Sequence, residues 1–189
     1  FVHSVYIYNR ALDCFYTTTG WGIQDREGFF DTELVALFAE GRHLAKLKPI
    51  PRKAPSSPDL ASSDTSNVYT YILYDRWIEE AQFPSTVFVN IYADSLMRTI
   101  EALTASAKDA EGELLIISDE GEIVGSPRKG EFLSDFDVAP LKWILDLPQG
   151  QGSFVGRIRG QKSIVSYTGS TVPGWKLLKI SPYAVAIRS

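Results

Sequence analysis

The chain has 189 residues, 44% hydrophobic, 12% aromatic and 22% charged, with 19 Lys and Arg against 23 Asp and Glu and a formal net charge of -4. That composition excludes a disordered chain and supplies enough aromatic side chains for sizeable cores. Scattered, outnumbered basic residues argue against nucleic acid as a partner, a single cysteine rules out an internal disulfide or a thiol pair for zinc, and no apolar run reaches the ~18 residues of a bilayer span.

In chain order, Ser4 to Asn9 (SVYIYN) and Leu12 to Thr18 (LDCFYTT) are β-branched and aromatic runs that predict a β-hairpin. Asp31 is placed to cap a short helix whose Leu34, Val35, Leu37 and Phe38 recur at helical spacing. Lys48 to Asn67 carries four prolines and many Ser and Asp residues, which predicts a surface loop. Strands are predicted at Val68 to Asp75 and Thr86 to Tyr92 with a polar turn around Glu79 to Pro84 between them, and a helix from Asp94 with Leu96, Ile100 and Leu103 as its apolar stripe. The pattern then restarts. Glu113 to Ser118 and Glu122 to Ser126 form a second hairpin across Asp119-Glu120-Gly121, Val138 to Leu147 reads as helix, and strands follow at Ser153 to Arg159, Lys162 to Thr168 and Trp175 to Ser181.

The halves align when Tyr6-Ile7-Tyr8-Asn9 is laid on Leu115-Ile116-Ile117-Ser118, Cys14-Phe15 on Ile123-Val124, and Val89-Asn90-Ile91-Tyr92 on Leu178-Lys179-Ile180-Ser181. This is the signature of one α+β unit duplicated, each copy an antiparallel sheet with helical cover. The lobes are expected at 1–107 and 108–189. No leader precedes Phe1, so the chain is read as an excised piece of something longer.

Four stretches carry a family resemblance: SVYIYN, VFVNIYADSLMRTIEAL, LLIISDEGEIVGS and VPGWKLLKISPY, the last with Gly174, Trp175, Pro182 and Tyr183. Together they resemble the double Cache family, extracellular sensor domains of two tandem PAS-like lobes. More narrowly, SIVSYTGSTVPGWKLLKISPY is similar to ectodomains of Gram-positive membrane-bound AraC-type transcription regulators and of related sensor histidine kinases. The resemblance implies a bacterial sensor on the extracellular side of the membrane, anchored by flanking segments, with a membrane-distal ligand-binding lobe and a membrane-proximal one. Two features depart from the family. The long opening helix has no counterpart before Ser4, and Asn90 stands where amino-acid-binding members carry an amine-clamping Asp.

Catalytic constellations are thin. Asp25, Glu27, Asp31 and Glu33 cluster at a loop and a helix start, where acids are favoured anyway. His3 and His43 read as surface histidines, Cys14 as a small buried apolar residue, and Gly150-Gln151-Gly152 as a turn. We therefore expect no enzyme and no cofactor. Alternation puts Phe88, Asn90 and Tyr92 on one face of their strand and Val87, Val89 and Ile91 on the other. The candidate ligand set is Asn90, Phe88, Tyr92, Tyr69, Tyr71 and a lid residue, Trp21, around a small molecule of unassigned identity. Asn90 as a tie between neighbouring strands is the competing structural reading. The second lobe, with Arg157, Arg159, Lys162 and Lys176 on its strands, reads as a transmitting spacer. A ligand-free module that forms homodimers or docks a receptor partner is the alternative function.

Overall fold

A computed structural model describes residues 1–20, 22–39, 48–56, 64–74, 85–105, 112–128, 130–135 and 150–186. The chain divides into two compact units, Phe1–Ala93 and Asp94–Ser189. In the first, β1 (Val2–Asn9), β2 (Cys14–Thr17), β3 (Ile23–Asp25), β4 (Ile50–Pro55), β5 (Thr65–Tyr74) and β6 (Ser85–Tyr92) form one antiparallel sheet of order β3-β2-β1-β6-β5-β4, and α1 spans Thr32–Ala39. In the second, α2 (Ala93–Ala105) leads into β7 (Glu113–Ile117), β8 (Ile123–Gly125), β9 (Gln151–Ile158), β10 (Gln161–Gly169) and β11 (Lys176–Pro182), ordered β8-β7-β11-β10-β9, with a final turn of helix α3 (Tyr183–Ala186).

The two strand orders are one topology written twice. In each unit the opening hairpin pairs its first strand with the last strand of the unit, so β2-β1-β6-β5-β4 corresponds to β8-β7-β11-β10-β9. The stretches aligned in the sequence occupy these equivalent strands: β1 with β7, β2 with β8, β6 with β11. Among the described residues no helix is long and apolar enough to cross a membrane.

Each sheet buries one face. The first core is aromatic: Tyr6, Tyr8, Phe15, Phe29, Phe30, Leu34, Ile72 and Phe88. Phe15 stacks on Phe29 at 4.0 Å between ring centroids, and Tyr6 meets Phe29 edge-on at 5.2 Å. The second core is aliphatic, built on Leu115, Ile117, Ile123, Ile158, Val165, Leu178 and Ile180. The VPGW turn before β11 needs its glycine. Gly174 has φ +80, and a Cβ there would stand 2.5 Å from a carboxylate oxygen of Asp119.

Two expectations are corrected. The proline-rich stretch at 48–67 is not a loop throughout, because Ile50–Pro55 forms strand β4 and β5 begins at Thr65. The prolines are tolerated because β4 is an edge strand, where a missing N–H removes no ladder bond if it points outward. In α2, Leu96 and Ile100 are only half-buried and the buried positions are Ala93, Ser95 and Met97, while the side chain of Leu103 lies outside the described residues. The helix expected at 138–147 and the turn at 79–84 lie outside the described residues.

Candidate ligand site

Aromatic packing on the inner face of the first sheet gives way to polar residues where α1 begins. Antiparallel register sets Ser4 of β1 and Thr70 of β5 on either side of Asn90 of β6. Arg52 reaches the same place from β4, and Asp31 enters as the residue before α1. All five are at most 1% exposed.

Their hydrogen bonds form one connected network. Arg52 grips Asp31 with a bidentate fork, Nη1 to Oδ1 at 2.8 Å and Nη2 to Oδ2 at 2.7 Å. Its Nε donates to Thr70 Oγ1 at 2.7 Å, and Nη2 also reaches Asn90 Oδ1 at 3.2 Å. Thr70 Oγ1 donates its hydrogen bond to Asn90 Oδ1 at 2.6 Å, and Asn90 Nδ2 donates to Ser4 Oγ at 2.8 Å. Because a guanidinium can only donate, Arg52 fixes which way the Asn90 amide points. Asp31 does double service, since its Oδ1 also accepts the Leu34 backbone N–H at 3.1 Å as the α1 cap.

Two groups beside this network have unmet capacity. Asn90 Nδ2 makes one of the two hydrogen bonds it can donate. Tyr6 Oη is buried and has no hydrogen-bond partner among the described residues. Burial pushes the Tyr6 phenol up to about 12; its neighbours Ser4 and Asn90 act the other way, yet neither meets the hydroxyl with good hydrogen-bond geometry. His3, half-buried, bonds Ser4 Oγ through Nδ1 at 2.8 Å and packs edge-on against Tyr92 at 5.0 Å. Burial, helped by the Arg52 charge and opposed by Asp31, holds its imidazole below the usual range.

The structure brings Asn90, Phe88 and Tyr92 to one face, as alternation requires. Phe88 is in the aromatic core, whereas Tyr92 sits at the strand end, 39% exposed. Tyr69 and Tyr71 are opposite Ile91 and Val89 in the ladder, so they share the other face and do not join Asn90. Trp21 lies outside the described residues, as does His43. Cys14 is buried. Sequence reading missed Arg52, Thr70, Ser4 and Tyr6, and saw Asp31 only as a cap. Ser4 and Thr70 carried a signal, being hydroxyl residues at inward positions of apolar strands; Arg52, flanked by proline, carried none. The described residues contain no group of His, Cys, Asp and Glu side chains that could hold a metal ion.

No protein-family model and no curated protein matches the sequence. Solved structures resemble it over nearly its whole length. The ligand-binding domain of the Pseudomonas aeruginosa amino acid chemoreceptor PctB, in complex with L-Arg, has a TM-score of 0.61 and 15% identity, with 98% of this chain and 74% of that one covered. The ligand-binding domain of the Pseudomonas fluorescens chemoreceptor CtaA, in complex with L-isoleucine, gives 0.62 and 15%, over 98% and 71%. The extracellular domain of the putative histidine kinase rpHK1S-Z16 gives 0.61 and 12%, over 98% and 73%. With the duplicated topology above, these likenesses establish the fold: the chain has the two-lobed α+β architecture of Cache-like ligand-binding domains.

Proposed function

We propose that this chain is the extracellular sensing part of a bacterial transmembrane signalling protein, and that it binds a small neutral polar molecule on the inner face of its first, membrane-distal lobe. The carrying observation is Tyr6 Oη, a buried hydroxyl without a partner among the described residues, beside an Asn90 amide with an N–H to spare. Buried polar groups are nearly always paired, so an unmet one calls for an atom to meet it, and in this reading that atom belongs to the ligand. The ligand is neutral because the one carboxylate of the network, Asp31, is already committed to Arg52 through both oxygens. Phe88 and Tyr92 flank Asn90 on the same face as apolar and rim contacts. The second lobe passes the change toward the membrane. On the strength of the SIVSYTGSTVPGWKLLKISPY phrase, the output is an AraC-type transcription regulator.

One observation favours a second reading, a ligand-free dimerisation module. On the outer face of the same sheet Val87, Val89 and Ile91 are half-exposed, and Ile7 and Leu73 are 41% and 40% exposed beside them. A thermal-shift panel of sugars, amides, nucleosides and amino acids separates the readings. Saturable stabilisation that Tyr6→Phe abolishes supports sensing, because a ligand of the native state raises stability by mass action. A blank panel together with a concentration-dependent dimer in sedimentation supports the second. Tyr6→Phe is the clean probe, since removing an unpaired hydroxyl strands no partner. Asn90→Ala is expected to lower apo stability by roughly 1 to 3 kcal/mol, because it leaves the Thr70 hydroxyl and an Arg52 N–H unpaired.

The phenol adds an alkaline signature. Folded Tyr6 titrates near 12 and an unfolded tyrosine near 10, so its contribution is intact below pH 10 and is lost as pH rises toward 12. The loss is on the order of 3 kcal/mol. Phenolate absorbance during alkaline titration should include a late-ionising component that is missing from Tyr6→Phe. Identical titration curves for the two proteins would contradict this assignment.

A further inference from the structure

The second unit contains a cleft of about 260 Å³ at one end of the buried face of its sheet. Its floor is Ile158, Ile180 and Pro182 with the Ser163 side chain, and its rim carries Glu113, Arg128 and Arg159. Glu113 holds both guanidiniums. Arg128 Nε lies 2.7 Å from Oε1, and Oε2 accepts from Arg128 Nη2 at 3.0 Å and from Arg159 Nη1 at 2.6 Å. Arg159 Nη2 is pinned in turn to Glu131 Oε1 at 2.7 Å.

Three features distinguish this rim from an ordinary surface ion cluster. First, counted with Glu131 the cluster sets two guanidiniums against two carboxylates and is neutral, yet two donor groups remain uncommitted: Arg128 Nη1 and Arg159 Nε have no partner among the described residues. Second, both guanidiniums are held in place by carboxylates, so little side-chain freedom is left to lose on binding. Third, Arg159 occupies a costly backbone position. It forms with Gly160 the two-residue turn between β9 and β10, at φ +49 and +79, a conformation that favours Asn and Gly over any long side chain.

We propose that this cleft is a second ligand site, distinct from that of the first lobe, and that it takes a small aliphatic carboxylate. The carboxylate bonds the uncommitted N–H groups of Arg128 and Arg159, and the alkyl chain lies on Ile158, Ile180 and Pro182. The volume limits the ligand to an acid of a few carbons. No residue of the first unit takes part, so the proposal does not rest on the function argued above.

The test is calorimetry on the full chain with sodium propionate at constant ionic strength, and with propionamide as the neutral isostere. Propionate should bind saturably and propionamide should not. Butyrate should bind about fourfold tighter than propionate, as the added methylene finds the apolar floor. Arg159→Asn should weaken propionate about tenfold or more. Asn suits the turn but gives up the ion pairs to Glu113 and Glu131, so a cooperative melt of this variant, at whatever midpoint, is the check that separates lost binding from lost fold. Arg128→Gln should weaken binding likewise, and Tyr6→Phe should leave it unchanged. Absence of propionate binding, equal binding of propionamide, or unchanged affinity in Arg159→Asn would each overturn the proposal, and sensitivity to Tyr6→Phe would move the acid to the first lobe.

Discussion

Replacing Arg52 with alanine is expected to lower the stability of the first lobe by about 3 to 5 kcal/mol, the usual result of removing one partner of a buried ion pair. Asp31 would be left as a charge at 0% exposure with, among the described residues, only the Leu34 N–H to meet it, while Thr70 and Asn90 would lose their shared donor. A melting point reduced by about 10 °C or more is the corresponding observation. The size of the loss does not mean that the pair contributes that much net stability. Two charges withdrawn from water cost nearly what their attraction returns, so the double variant Asp31→Leu/Arg52→Met should recover much of the loss. If the double variant is as unstable as Arg52→Ala, the network is cooperative beyond this pair. If Arg52→Ala melts like the parent, the burial of the pair described here is wrong.

Phe15→Ala is expected to cost about as much, 3 to 5 kcal/mol, for a different reason. Phe15 is fully buried, stacked on Phe29 and within 5.0 Å of Tyr8 and 6.0 Å of Phe88, ring centre to ring centre. Those neighbours belong to β1, β6 and the segment before α1, and interlocked aromatic rings collapse poorly into a vacated space. Phe15→Leu, which keeps most of the volume, should lose less than half as much. Chemical denaturation of the three proteins checks both values, and equal losses for Ala and Leu would show that the position is governed by ring stacking and not by volume.

The fold was legible in the sequence wherever periodicity carried it. Alternation in SVYIYN and TVFVNIY located the central strands and assigned their faces, and repetition of hairpin and closing strands exposed the duplication. Strand β4 was hidden because IPRKAP carries the residues of a loop, and only its place at the sheet edge makes them compatible with pairing. The site was legible in part for a related reason. Asn90 stood out as a polar residue on an apolar strand, but its partners come from positions 4, 31, 52 and 70, which the register of three strand pairs and one helix cap brings together. Tyr69 and Tyr71 were grouped with Asn90 by residue type, whereas the ladder turns them to the opposite face.

Strand β4 has a further effect on how this sheet meets other chains. Pro51 and Pro55 pair with Tyr69 and Thr65, and Lys53, exposed between them, pairs with Asn67. All three share one parity, and since proline cannot donate, the outward row of N–H groups on this strand lacks two of its three donors. An unfinished sheet edge ordinarily offers a template on which another extended chain can dock. Here the strand that delivers Arg52 to the interior presents an outer margin that a further strand could hydrogen-bond only in fragments. The residues that disguise β4 as a loop are the ones that let a six-stranded sheet end there without inviting a seventh.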